Sequence, residues 1–322
     1  MTLMKKLLGL SLVPVVLAMS IPAMSASPTR ESEMTTTTTE THMTETRVMD
    51  AHHMAAVSIY GTEAHNLYTQ AQWQLVERNY PEAIRLFENV LAITPDHVPS
   101  LHGLAIAHEM RGEYVDAIKN VNQAISLDPV NSSLLLTKAR ILDAQKMDVP
   151  ALDAYLTFLS WQPMDSQSIE VQRRADDIFN RVQATLTPEQ KDYFTGLRIL
   201  SMDRPDEAIQ SLQRFVDAKP MADNQPEITP EVVNAQLLIS LAHQRLNQPE
   251  QAVAELQQLS TQAPIADATP EIAPLKARLY FELSNNYGLT GQKQEARDAW
   301  TSFVRFAPKS EASGVLEQPF LR

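Results

Sequence analysis

YPEAIRLFENVLAITPD (Tyr80–Asp96) lines up with YVDAIKNVNQAISLDPV (Tyr114–Val130) at a shift of 34 residues. The same interval separates Ala83, Ala117 and Ala151, and again Pro95, Pro129 and Pro163. Self-similarity at a fixed period of this size marks an array of supersecondary units, each unable to bury its apolar face alone. Inside each unit apolar residues recur at i, i+3, i+4 and i+7, which predicts two helices, over 64–78 and 81–93 in the first. Pro81 falls in a first helical turn, where no N–H is needed, and Pro95 stops the helix before it. Ala83 and its equivalents fall where the two helices of a pair cross, so a small side chain lets the backbones approach.

Composition agrees with helices throughout. Glycine contributes only 8 of 322 residues, too few for a fold built on nucleotide loops, tight hairpins or barrel corners. Cysteine is absent, which removes disulfides, thiolate nucleophiles and Cys-based metal sites. The formal net charge of −12 argues against a nucleic-acid partner.

A second ruler governs the C-terminal half. Ala208, Ala252 and Ala296 stand 44 residues apart, as do Pro220, Pro264 and Pro308. The added residues are themselves repeated: Ala222-Asp223-x-x-Pro226-Glu227-Ile228-x-Pro230 returns as Ala266-Asp267-x-x-Pro270-Glu271-Ile272-x-Pro274. Pro-Glu suits a helix start, so each insert is expected to launch the next first helix early. Between the halves, Ser166 to Val182 reads as one more helix with Ile169, Ile178 and Phe179 on an apolar stripe. That helix could separate two mobile halves, and continuous stacking is the preferred reading. Thr187-Pro188-Glu189-Gln190 is a capping signature for the helix after it.

These landmarks resemble the tetratricopeptide repeat. Repeat one supplies Ala71, Tyr80, Ala83, Phe87 and Pro95, and repeat two supplies Ala105, Gly112, Tyr114, Ala117 and Pro129. Repeat three keeps Ala139, Ala151, Tyr155 and Pro163 but carries Asp148 in place of the tyrosine. The last unit has Tyr280, Leu283, Tyr287, Gly291, Ala296, Trp300, Phe303 and Pro308. The resemblance implies an all-α fold, an α-solenoid of antiparallel helix pairs with about six repeats plus one extra helix. It also implies a concave groove that holds a peptide on the first helix of each pair. Carried over position by position, that surface comprises Tyr68, Gln72, His102, Ile106, Arg140, Tyr193, Arg278, Phe281 and Asn285, together with His65, Val76, Met110, Leu136, Leu197, Leu237 and Leu241. The last three leucines read equally well as core. The Lys and Asn that one sub-class uses to grip a C-terminal carboxylate are replaced by Tyr68 and Gln72, so that clamp is not expected.

The domain plan that follows has a signal peptide over 1–25, a Thr/Met/His-rich spacer expected to be disordered over 26–58, and three 34-residue repeats over 59–165. An extra helix and linker occupy 166–187, and three further repeats occupy 188–322, the last two extended to 44. Lys5 and Lys6 precede an apolar run from Leu7 to Met19 and then small residues around Ala23 and Ser25, the order of a secretory leader. Thirteen apolar residues broken by Pro14 are too few for a membrane span, which needs about 20. A periplasmic or secreted product without an integral span is expected after cleavage.

No His-Glu-x-x-His, Gly-x-Ser-x-Gly or phosphate-cradling Gly-rich loop occurs, so no catalysis and no cofactor are expected. His65, His97, His102, His108 and His243 are dispersed over separate units. The functional expectation is a non-catalytic protein-interaction scaffold in the cell envelope, holding a peptide or protein partner during assembly or maturation of an envelope complex. The alternative is copper handling by Met34, His42, Met43, His52, His53 and Met54 in the spacer, since thioethers and imidazoles are ligands copper prefers; the same segment also reads as an ordinary low-complexity linker. Pro319, Phe320 and Leu321 add the option of a homo-oligomer through the C-terminal end.

Overall fold

The computed structural model describes residues 61–310 except 163–165, 220, 223–224, 227, 262–268 and 270. The leader, the spacer with its Met/His set, and Pro319–Leu321 lie outside the described residues. All described residues belong to one compact unit, Ala55–Arg322.

Helix follows helix in antiparallel pairs. They are α1 (61–76) with α2 (Tyr80–Ile93), α3 (Val98–Arg111) with α4 (Tyr114–Leu127), and α5 (Ser132–Ala144) with α6 (Asp148–Trp161). After α7 (Ser166–Val182) come α8 (Pro188–Ser201) with α9 (Pro205–Asp217), α10 (Pro230–Arg245) with α11 (Pro249–Thr261), and α12 (Ala273–Leu289) with α13 (Lys293–Phe306). A two-residue antiparallel ladder, β1 (Met221–Ala222) with β2 (Gln225–Pro226), lies in the first insert. The fold is an all-α solenoid of tetratricopeptide-like pairs.

The landmark alanines sit at the crossings. Ala83, Ala117, Ala151, Ala208, Ala252 and Ala296 are all fully buried. Two glycines allow still closer contact, since a Cβ on Gly103 would meet the Phe87 ring at 2.3 Å and one on Gly196 would meet Leu212 at 2.6 Å. The turn inside every pair uses one residue with positive φ: Arg78, Gly112, Lys146, Asp203, Asn247 and Gly291. They fall at one repeat position, where a left-handed residue ends the first helix and reverses the chain. His108 and His243, also equivalent, brace this turn by bonding Glu113 at 2.7 Å and Gln248 at 3.0 Å.

Helix starts follow the local chemistry. Thr187 and Gln190 form a reciprocal capping box at α8, with bonds of 3.2 and 3.0 Å. Thr229 caps α10, which begins at Pro230, three residues ahead of Val233, the equivalent of Val98 in α3. The insert thus lengthens the helix that follows it.

The extra helix packs against α6, and its buried stripe is Val171, Ala175, Ile178 and Val182 with Phe179 partly covered. Ile169, placed on that stripe from the sequence, is 64% exposed. The stripe follows i, i+4, i+7 and i+11 from Val171, and Ile169 lies off it. Arg174–Asp143, Arg181–Asp148 and Arg198–Asp176, each at 2.6 Å, tie α7 to the helices around it. One apolar core runs without a break from α5 through α7 to α10, so the halves are stacked rather than hinged at α7.

Candidate functional site

The positions expected on a groove from the sequence lie on the first helices of the pairs, and their surroundings differ in the two halves. In repeats 1 to 3 (α1–α6) they border open space. A pocket of about 360 Å³ is bounded by Tyr68 of α1, Val98, Pro99 and His102 of α3, and Asn131 and Ser133 at the start of α5. Tyr68 is held by Gln72, whose amide donates to its hydroxyl oxygen at 2.6 Å, and by edge contact with His97 at 5.0 Å. Asn131 caps α5, accepting from the Ser133 N–H at 3.2 Å.

His102 is the most constrained group of the pocket. Its Nε2 lies 2.8 Å from the Thr137 hydroxyl, which also stands 3.2 Å from the Ser133 carbonyl, so the ring is fixed from α5. Burial, reinforced by Arg140, pulls the imidazole down to about 4, so the ring is neutral at physiological pH. Arg140 is bidentate to Glu109 at 2.6 and 3.2 Å, neutralising the next stretch of the groove, and Ile106 lies half-buried between. The first turns of α3 and α5 border the pocket, which offers neutral donors and acceptors with apolar flanks. Outward from it, Trp73, Val76 and Met110 are 63, 64 and 49% exposed.

In repeats 4 to 6 (α8–α13) several of the equivalent positions are covered by the chain itself. Tyr193 is buried and donates to Asp153 of α6 at 2.7 Å; Asn234 of α10 donates to the Tyr193 oxygen at 2.9 Å and to Thr157 of α6 at 3.1 Å. Burial pushes both the Tyr193 phenol and the Asp153 carboxyl upward. Arg278 of α12, 7% exposed, lies 3.6 Å above the Trp161 ring and donates to the Pro129 carbonyl at 3.3 Å. Burial brings it down to about 10, still a cation at neutral pH, and pushes its neighbour Glu282, 3.9 Å away, upward. Arg245 caps the ends of two helices, bonding the Leu200 carbonyl at 2.8 Å and the Ser160 carbonyl at 2.5 Å.

The nine residues placed on one groove from the sequence therefore divide. Tyr68 and His102 meet in the open pocket, with Gln72, Ile106 and Arg140 continuing along it. Tyr193 and Arg278 are interior. Phe281 packs with Phe303 at 5.2 Å and Trp300 at 6.2 Å inside the last pair, and Asn285 bonds Glu282. Leu197 and Leu237 are fully buried core. Asp153, Thr157 and Trp161 were missed because a second helix is expected to face only its pair and the next repeat; Asn234, on a first helix, stands at the repeat position of Arg278, and only Leu237 and Leu241 had been carried over from that helix. One signal was available: DVPALDAYLTFLSW of α6 is apolar on nearly every face, the mark of a helix covered all round. Among the described residues no group of three His, Asp or Glu is placed to hold a metal, and no helix is long and apolar enough to cross a membrane.

Comparison with known proteins agrees with the repeats read from the residues. Two family models described as tetratricopeptide repeat match residues 75–141 and 234–264. Human tetratricopeptide repeat protein 7B is 32% identical over 97 residues, which are 30% of this chain and 12% of that protein. A tetratricopeptide repeat protein from Parabacteroides merdae aligns at 12% identity and TM-score 0.37 over 81% of this chain and 98% of its own. The TPR2AB domain of yeast Sti1, in its pHSP90 complex, aligns at 14% identity and TM-score 0.34 over 79% of this chain and 94% of its own.

Proposed function

Since the chain carries tetratricopeptide repeats whose groove positions are open in one half and covered in the other, we propose that it is a non-catalytic scaffold that binds a protein partner through repeats 1 to 3. The observation that carries this reading is the pocket between Tyr68, His102 and Ser133, open on the side where first helices of such repeats present their side chains. An extended segment of the partner lies along α1, α3 and α5, its backbone meeting Gln72, His102 and Asn131 and its apolar side chains reaching Val76, Ile106 and Met110. The partner belongs to the cell envelope, because the leader over 1–25 directs the chain there, and the scaffold serves assembly or maturation of an envelope complex.

A photo-crosslinking amino acid at Gln72 tests the site in the cell, with the same group at Val115, on α4 and 78% exposed, as the control. Gln72 is expected to give one or a few discrete adducts that Tyr68→Ala and His102→Ala abolish. The same adducts from Val115, or adducts insensitive to both substitutions, would remove the groove from consideration. Mass measurement of the recovered protein tests export: a mature chain that begins near residue 26 in the periplasmic or extracellular fraction is expected, and an intact Met1 form in the cytosol is the opposing result.

A further inference from the structure

The last described residue is anchored at the rim of the open pocket. Ser310, 3% exposed, bonds one oxygen of the Asp128 carboxylate, and the amide of Asn131, which lines the pocket, donates to the other at 3.4 Å. A single carboxylate separates the two. Lys309 pairs at 2.8 Å with Asp96, next to His97, whose ring meets Tyr68 on the pocket's far wall. Arg278 donates to the Pro129 carbonyl at 3.3 Å, and Val130 packs against the cluster of Phe303 and Ala307. The end of the last repeat is thus held between the two turns that lead into α3 and α5, the helices whose first turns border the pocket.

Residues 311–322, EASGVLEQPFLR, continue from this anchor and lie outside the described residues. Twelve residues reach up to about 40 Å when extended, at about 3.3 Å each. Their apolar side chains form two groups, Val315-Leu316 and Pro319-Phe320-Leu321, parted by Glu317-Gln318. The groove has a matching layout. Its pocket lies beside His102, and the exposed Val76 and Met110, each seven residues before its landmark alanine, stand further along α1 and α3. From His102 to Met110 is eight residues of helix, about 12 Å; from Leu316 to Phe320 is four residues of extended chain, about 13 Å.

We propose that the chain's own residues 315–321 occupy the open groove of repeats 1 to 3, with Leu316 in the pocket and Phe320 over Val76 and Met110, so that a partner must displace them to bind. The anchor at Ser310 holds the segment at an effective concentration on the order of millimolar, which fills the groove even when the contact itself is weak. Its seat follows from the groove and the anchor alone, while its role as a competitor rests on the function proposed above.

The test uses the full chain. A photo-crosslinking amino acid in place of Phe320 in the purified protein is expected to give adducts within one chain that map to α1 and α3. A fluorescent peptide of residues 311–322 supplies a second readout. Protein carrying Leu316→Asp with Phe320→Asp is expected to bind it saturably, at least about tenfold tighter than the parent chain, whose own segment competes. Adding His102→Ala to that variant, or the two aspartates to the peptide, is expected to abolish the gain. Equal affinity of variant and parent, no saturable binding by the variant while circular dichroism stays native, or adducts confined to other surfaces overturns the proposal. Adducts between chains that rise with protein concentration overturn it as well, giving the groove to a second copy. Failure here while Gln72 still crosslinks a partner would strike this inference alone; adducts from residue 320 to the groove with no partner adduct from Gln72 would strike the function alone.

Discussion

Repeats 1 to 3 and repeats 4 to 6 are built from the same pair, yet their inner faces have opposite fates. His102, 15 residues before its landmark Ala117, borders a pocket, while Tyr193, 15 residues before Ala208, is sealed against Asp153. Asn131 and Ser133 face solvent across the groove mouth; Asn234 and Arg278 are buried on α6 and Trp161. The difference lies in α6, whose Asp153, Thr157 and Trp161 meet Tyr193, Asn234 and Arg278 on the three following first helices, while α7 packs beside it in the shared core. An inner face of tetratricopeptide-like repeats is therefore not a binding site by position alone; what the neighbouring stack covers decides.

The largest expected effect contrasts the two inner arginines. Arg278→Ala removes the cation over Trp161 and leaves Glu282 as a buried, unpaired carboxylate, which costs about 3 to 5 kcal/mol. Arg140→Ala strips Glu109, whose side chain is only 9% exposed, of a guanidinium that is itself 40% exposed, and is expected to cost less, about 1 to 3 kcal/mol. Urea denaturation followed by circular dichroism measures both. Equal costs would mean that the C-terminal face is not closed in solution.

Overpacking is expected to act on both stacks alike. Ala117→Trp and Ala252→Trp each place an indole at a fully buried crossing and cost about 1 to 3 kcal/mol or more, uncoupling the flanking units. A thermal melt unchanged from the parent chain at either site would show that the alanine register does not define the crossing there.

Acid separates the halves by sign. His97 and His102 are held below their ordinary range by burial, so their contribution is present at neutral pH and drains as pH falls below about 6.5, that of His102 down to about 4. Asp96 is lowered by Lys309, 2.8 Å away, and its contribution is present above the ordinary carboxylate range and lost as acid protonates it. Asp153 and Glu282 are raised by burial, and their penalty as anions at neutral pH is relieved on acidification. Hydrogen exchange corrected for intrinsic rate is expected to show α1 to α3 losing protection between pH 7 and 4.5, while α8 and α10 hold theirs. Uniform loss across both stacks would contradict the assigned shifts.

The repeats were legible in the residues because backbone constraints repeat with them. Alanine at a crossing and proline at a helix boundary answer to local geometry that every unit shares, and the capping box at Thr187 needs only four adjacent residues. The filling of the second groove was not legible from those marks, since Asp153 and Tyr193 are 40 residues apart and meet only where α8 packs against α6. Ile169 failed for a milder reason: three apolar residues were assigned to a stripe before its phase was known. The apolar girth of α6 and of VVNAQLLISLA in α10 was the readable sign that both helices are covered on every side.

The smallest effect probes the turn that the two stacks share. Lys146 in the first and Asn247 in the second occupy the left-handed position with φ of 62° and 58°, and both are exposed. A side chain with a Cβ pays about 1 to 2 kcal/mol there, part of which glycine returns in unfolded-state entropy. Asparagine tolerates this conformation better than lysine, because its short amide can bond the local backbone. Lys146→Gly is therefore expected to stabilise by about 0.5 to 1 kcal/mol and Asn247→Gly by only a few tenths. Chemical denaturation of the two variants, each against the parent chain, resolves the ranking. Destabilisation by Lys146→Gly would place that turn outside the left-handed region and break the equivalence of the six turns on which the comparison of the stacks rests.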